Sequence, residues 1–246
     1  VTVPAGGLLR VPAPARGMRS YVAIRGGIDC GTYLQSAATF TLGGFGGWQG
    51  RALQDGDRLP LGEEAACFPA AAIAAERQPD FSDAWTVGLR VGPHGSPDFL
   101  TEPGLRQFLQ SVWTVSPQSN RTGIRLLGPR PEWARRDGGE AGLHPSNLHD
   151  NAYAFGAIDL TGDTPVVLGP DGPSLGGFVC PGVVVAGQRW KLGQLRPGDR
   201  LRWQVVDAAG AEALRLEPQR APPPAAIDSP VILRRAPRPE HPGRSL

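Results

Sequence analysis

Leu42-Gly43-Gly44-Phe45 returns far along the chain as Leu175-Gly176-Gly177-Phe178. Gly56-Asp57-Arg58-Leu59 returns as Gly198-Asp199-Arg200-Leu201, in the same order. Short glycine motifs recur by chance, so one match carries little; two in series point to two related units. The residues around them say what kind. Tyr21–Ile24, Trp85–Val91, Gly123–Leu127, Pro165–Leu168, Val179–Val185 and Leu201–Val205 are short, β-branched or alternating, and bounded by Gly, Pro or Asp. That is the pattern of strands joined by tight turns. One helix interrupts them: Leu105, Phe108, Leu109 and Val112 fall at i, i+3, i+4 and i+7. Thr101 is placed to cap it, and Pro103 is acceptable in the first turn. The expected fold is mainly β with a few helices, built as two related β-domains.

The same echo sets the expected boundaries. Residues 1–64 read as the C-terminal part of the first β-domain, 65–84 as a connection containing the Ala-rich Ala65 to Arg77, and 85–206 as the second β-domain. The stretch before the first Leu-Gly-Gly-Phe is about half as long as that from Trp85 to the second, so the first domain is expected to be truncated. Residues 207–246 are expected to form a Pro-rich linker toward a missing following domain. They hold Ala221-Pro222-Pro223-Pro224 and Pro237-Arg238-Pro239, a linker composition. Ser229-Pro230-Val231-Ile232-Leu233 has the form of the first strand of that next domain. The chain reads as a fragment of a longer polypeptide.

Composition narrows the function classes. Glycine (34) and proline (26) are abundant while six Trp and eight Phe need burial, which fits a turn-rich β-protein rather than disorder. A formal net charge of +2 gives no electrostatic case for nucleic acid or an anionic membrane. The basic residues are nearly all arginine, Lys191 being the only lysine, which reflects a GC-rich composition more than phosphate binding. Cys30, Cys67 and Cys180 are far apart; a sparse, odd count fits a reducing cytoplasm and neither a disulfide framework nor a thiolate metal site. No apolar run approaches membrane-spanning length, and the opening residues lack a secretory signal pattern.

Polar side chains concentrate in His144-Pro145-Ser146-Asn147-Leu148-His149-Asp150-Asn151-Ala152-Tyr153, a run costly to bury unpaired. Three readings stay open: a solvated Asx-rich turn, a metal site, and a small-molecule site of convergent donors and acceptors. The metal reading is weakest, because His144 and His149 are not at i, i+4 and no third ligand is evident. A second stretch, Gly169-Pro170-Asp171-Gly172-Pro173-Ser174-Leu175-Gly176-Gly177, follows Gly162-Asp163. Its glycines allow close backbone approach and an anion-binding nest, or simply a pair of hairpin turns. It lacks a P-loop ending, and Ser174 is not in Gly-x-Ser-x-Gly. A third patch, Ser116-Pro117-Gln118-Ser119-Asn120-Arg121-Thr122-Gly123, offers Asn120 and Arg121 to orient a carboxylate or to cap a turn. Gly43 to Gly50 is the glycine-rich counterpart in the first unit.

Taken together, Ser116 to Gly123, Gly138-Gly139-Glu140, His144 to Tyr153, Thr161-Gly162-Asp163, Gly169 to Pro181 and Trp190 to Asp199 resemble a known family. It is the carboxyltransferase region of biotin-dependent urea carboxylase and urea amidolyase, with its allophanate hydrolase subunit 2-like relatives. Arg25-Gly26-Gly27 and Phe45-Gly46-Gly47 fit the same pattern. The resemblance implies paired cyclophilin-like β-barrel domains, the first truncated here, and places the family's glycine-rich opening segment before Val1. It implies transfer of a carboxyl group from carboxybiotin to a urea nitrogen to give allophanate. Alternatives within the family are guanidine carboxylation, 5-oxoproline cleavage, or a non-catalytic regulatory or scaffold role. It further implies a biotinyl carrier domain and the other carboxyltransferase half as partners, and ATP and Mg in a separate domain. On this resemblance Asn147, His149, Asp150, Asn151 and Tyr153 are expected to orient urea. Asp171, Gly172, Ser174, Gly176 and Gly177 are expected to receive the biotin ring or CO2, with Asn120, Arg121 and Asp163 in support.

Overall fold

A computed structural model describes residues 2–63, 71–72, 78–216 and 225–226. The strands, in chain order, are β1 (Thr39–Phe40), β2 (Phe45–Gly46), β3 (Ala71–Ala72), β4 (Ala84–Val91), β5 (Trp113–Val115), β6 (Gly123–Leu127) and β7 (Asn147–Ala152). They continue with β8 (Ala157–Thr161), β9 (Thr164–Leu168), β10 (Leu175–Phe178), β11 (Gly182–Val184), β12 (Arg200–Val205) and β13 (Ala225–Ala226). Among the described residues are also three α-helices, α1 (Glu102–Gln110), α2 (Arg189–Leu192) and α3 (Ala208–Leu216), and two short 3-10 turns at Gly139–Ala141 and Ala186–Gln188.

Seven of the strands close into a barrel in the order β11-β4-β12-β5-β6-β9-β8, and β8 returns to β11. Neighbours are antiparallel except β4 and β12, which run parallel with Leu201 opposite Trp85. Closure leaves no free edge, which suits short strands without long hydrophobic runs. Alternation along each strand sends every second side chain inward. Val87, Leu89, Ile124, Leu126, Ile158, Leu160, Val167 and Leu201 fill the interior. Each contributes about 1.5–3 kcal/mol by leaving water. α1 covers one end, its Phe108 ring lying 5.5 Å from Trp113 and 6.2 Å from Trp203.

α1 forms for the reasons its sequence gives. The Thr101 hydroxyl accepts the Gly104 N–H at 3.0 Å, and Leu105, Phe108 and Leu109 face the core. A Cβ at Gly104 would lie 2.6 Å from the Glu132 carbonyl, so the helix approaches the neighbouring loop closely. Val112 falls beyond the helix and stays exposed.

The echoed turns behave differently. Gly56 and Gly198 take φ of +89° and +90°. Asp57 accepts the Gln54 N–H at 2.7 Å, and Asp199 accepts the Arg196 N–H at 2.8 Å, the same three-residue reach. This pair is one turn built twice. The other pair is alike only in sequence: Leu42 to Gly44 form a turn with Gly44 at φ +67°, whereas Leu175–Phe178 is a strand.

Several expectations need correction. Tyr21–Ile24 forms no strand; it finds no pairing partner among the described residues, and Tyr21 is 81% exposed. Among the described residues of 2–63, only β1 and β2 are strands, two residues each, and the closed barrel lies in the second unit. Val179–Val185 is not one strand, since only Gly182–Val184 of it is paired. α3 lies inside the stretch expected as linker, where Leu214 packs against Gly88 and Gly187. β3 pairs with β13. Ser229 to Leu233, most of Ala65 to Arg77, and Cys67 lie outside the described residues.

Candidate functional site

β7 and β10 pair with each other and not with the barrel. Leu175 lies opposite Ala152, Gly176 opposite Asn151 and Phe178 opposite Asn147, with a bulge between Gly176 and Phe178. The ribbon is tied down at its foot. Val179 N–H donates to the Ser146 carbonyl at 2.8 Å, and Leu160 N–H donates to the Val179 carbonyl at 2.9 Å. Tyr153 ties the ends together: its hydroxyl donates to the Phe178 carbonyl (3.0 Å) and accepts the Phe178 N–H (2.6 Å). Burial pushes the Tyr153 phenol up to about 12. A Cβ at Gly176 would sit 2.6 Å from the Tyr153 ring, so a larger residue there would push the strands apart.

Against the outer face of β6, β9 and β8, β10 and the loops beside it border an open cavity of about 520 Å3. The strand register explains its floor. Arg125 lies opposite Val166, and Val166 lies opposite Asp159. These three residues form one row across three strands, on the side opposite Ile124, Val167 and Ile158. All three line the cavity, with Asn120, Thr122, Tyr153, Leu175, Gly176 and Phe178 around them.

Asp159 is the unusual group. It is 3% exposed, and its Oδ1 is buried without a hydrogen-bond partner among the described residues. Burial pushes its carboxyl up to about 7. A carboxylate left unsatisfied in a cavity is costly unless a ligand completes it, and such groups cluster at functional sites.

The loops at the rim are held by an ion pair. Arg121 Nε and Nη2 meet Asp171 Oδ2 and Oδ1 at 2.7 and 2.9 Å. Each shifts the other: the Asp171 carboxylate raises the Arg121 guanidinium, and the guanidinium lowers the Asp171 carboxyl. Asn120 Oδ1 accepts the Thr122 N–H at 2.8 Å, closing its own turn. Gly169 belongs to the same junction, because a Cβ there would lie 1.9 Å from the Arg121 carbonyl.

The expected site residues therefore divide. Asn120, Tyr153 and Gly176 line the cavity. Arg121 and Asp171 brace its rim through each other. Gly172 packs against the Thr122 and Gly169 carbonyls, Gly177 against the Leu148 carbonyl, and the Ser174 carbonyl accepts the Tyr153 N–H. Asn147, His149, Asp150 and Asn151 lie along β7, with His149 and Asp150 exposed. His149 Nε2 is 3.9 Å from Glu140. Asp163 lies apart from the cavity lining, accepting the Trp133 indole N–H at 3.0 Å, with His144 Nε2 at 3.6 Å. Among the described residues no three His, Cys, Asp or Glu gather as a metal site.

Asp159 and Arg125 were not singled out from the sequence. A charged residue alternating with apolar ones in a strand reads as an ordinary solvated face. Only the ribbon folded over that face turns it inward.

Residues 1–205 match the family model for the carboxyltransferase domain, subdomain A and B. The chain belongs to that family. It is 47% identical over 225 residues to a urea amidolyase of Lachancea kluyveri, covering 87% of this chain and 12% of that protein. It is 29% identical over 217 residues to a 5-oxoprolinase subunit of Escherichia coli, covering 88% of this chain and 65% of that protein. The crystal structure of the Kluyveromyces lactis urea carboxylase superposes with a TM-score of 0.78 at 45% identity, over 84% of this chain and 19% of that one. The chain thus spans a small part of the urea amidolyase and urea carboxylase relatives it matches. No helix among the described residues is long and apolar enough to cross a membrane.

Proposed function

We propose that the cavity beneath the ribbon is the acceptor site of a biotin-dependent carboxyltransferase. There a carboxyl group passes to a nitrogen of a small planar molecule of the urea type, giving allophanate when the acceptor is urea. Carboxybiotin, when bound, would supply the carboxyl group, and biotin would take up the proton that the acceptor nitrogen gives up as its new C–N bond forms. A carrier domain delivers it; ATP and Mg act in a domain outside this chain. The surroundings suit the biotin ring, since Val166, Leu168, Leu175 and Phe178 give apolar walls, with the Tyr153 ring packed against Gly176 beside them. Gly172, Ser174 and Gly177 shape the turn and strand beside it. Asn147, His149, Asp150 and Asn151 lie on β7, the strand paired with the cavity-lining β10.

Asp159 carries this reading. Urea and guanidinium both present N–H donors in a plane, and a desolvated carboxylate accepts them. An acceptor hydrogen-bonded there is oriented, with its nitrogen held for attack. The same observation reorders the acceptors. Neutral urea is served as well by an amide, whereas a cation gains most from a buried carboxylate. Asp159 therefore favours guanidinium over urea. Turnover by the full-length protein with urea, guanidine and 5-oxoproline tests this. Guanidine is expected to be the better acceptor, and Asp159→Asn to shift the ratio toward urea by about tenfold, the size of one charge-assisted hydrogen bond. Unchanged transfer in alanine variants of both Asp150 and Asn151 would remove the ribbon side chains from the chemistry and leave Asp159.

A further inference from the structure

We propose that Arg125 is an anion subsite of the same cavity, one that takes the carboxylate of the N-carboxylated product. The inference rests on the carboxyl-transfer reading and deepens it. Arg125 lines the cavity, and its Nε is buried with no hydrogen-bond partner among the described residues. No carboxylate lies within ion-pair distance of it among the described residues. Its own backbone is fully occupied in the strand: its N–H donates to Ser119 Oγ at 3.1 Å, and its carbonyl accepts from Ser116 at 2.9 Å.

Two residues of opposite charge, Arg125 and Asp159, thus line the cavity floor, each with one buried polar atom, Nε and Oδ1, that has no hydrogen-bond partner among the described residues. Val166 stands between them in register, so two strand spacings of roughly 4.8 Å each separate their backbones. They do not pair with each other. A ligand that satisfies both has a carboxylate at one end and planar N–H donors at the other. An N-carboxylated urea or guanidine has that form, and neither starting acceptor does. The fork of a guanidinium matches a carboxylate in two parallel hydrogen bonds, which fixes orientation as well as charge. Arg125 then holds the incoming carboxyl group while Asp159 holds the nitrogen end, and the two set the direction of transfer along the row.

The test uses malonamate, the carbon isostere of allophanate, and malonamide, its neutral partner. Each is titrated calorimetrically into the full-length protein with no ATP or bicarbonate. Malonamate is expected to bind about tenfold more tightly than malonamide. Arg125→Gln should abolish that preference at an unchanged melting temperature. Arg125→Lys should keep part of it, because the charge stays and the fork is lost. Asp159→Asn should leave the preference in place. Equal binding of the two probes to the wild-type protein overturns the proposal. So does a preference that survives Arg125→Gln, or one lost only together with the melting transition. Failure of the carboxyl-transfer reading is seen separately, as absence of turnover with both urea and guanidine.

Discussion

Asp159 sits between Ile158 and Leu160, whose side chains are fully buried inside the barrel, while its own points to the other face. What makes it unusual is the roof above that face. The carboxyl is held up at about 7 by burial, with no cation paired to it among the described residues. A folded-state value above the unfolded one of about 3.9 means that the native protein holds the proton over the range between them. The associated stability is full below pH about 4 and is lost as pH rises through 7. Asp159→Asn should therefore melt higher than wild type at pH 8, with the gap closing toward pH 4. About 1–2 kcal/mol is expected, less than the full shift because the cavity opens to solvent. A gap independent of pH would show that the buried carboxylate is not destabilising. At this scale the sequence was partly readable. Asn120, Tyr153 and Gly176 are among the residues that line the cavity. Asp159 and Arg125 were hidden, because alternation tells which side chains share a face and not what covers that face.

The strands with strong apolar alternation, β4, β6, β9 and β12, and the capped helix α1 were legible, since their residues alone state period and ends. β7 was not. Asn147-Leu148-His149-Asp150-Asn151-Ala152 has no hydrophobic face, and its pairing depends on β10, more than twenty residues away. β5 is short and follows the helix closely, and α3 lies in a stretch whose composition resembles a linker. Rigidity at this scale rests on few clips. The Arg121–Asp171 pair joins the loop before β6 to the turn before β10. Alanine at either should loosen the rim, and a double-mutant cycle on thermal stability should give a coupling of about 0.5–1 kcal/mol, modest because Arg121 is half exposed. A coupling near zero would assign the bracing to the backbone contacts at Gly169 instead.

The described residues form one closed barrel with a ribbon over one face and an N-terminal stretch strapped to it. Met18 and Arg19 N–H groups donate to Gln194 Oε1, and the Arg196 guanidinium donates to the Gly17 and Pro14 carbonyls. Arg196→Ala should speed amide hydrogen exchange at Met18 and Arg19 while leaving β4 and β12 protected; equal change in both would mean that the strap supports the barrel itself. The echoed Gly-Asp turn marks where the two units were alike in sequence and are alike in structure. The rest of the first unit was less legible, because an isolated glycine-rich stretch specifies turns without specifying their partners. The central claim is that the roofed cavity takes the acceptor nitrogen, with Asp159 choosing the acceptor. Its most direct test is acceptor-dependent ATP turnover by the full-length protein, wild type against Asp159→Asn, with urea and guanidine side by side. The account predicts guanidine-preferring turnover in the wild type and a shift of about tenfold toward urea in the variant; an unchanged ratio, or no turnover with either acceptor, would contradict it.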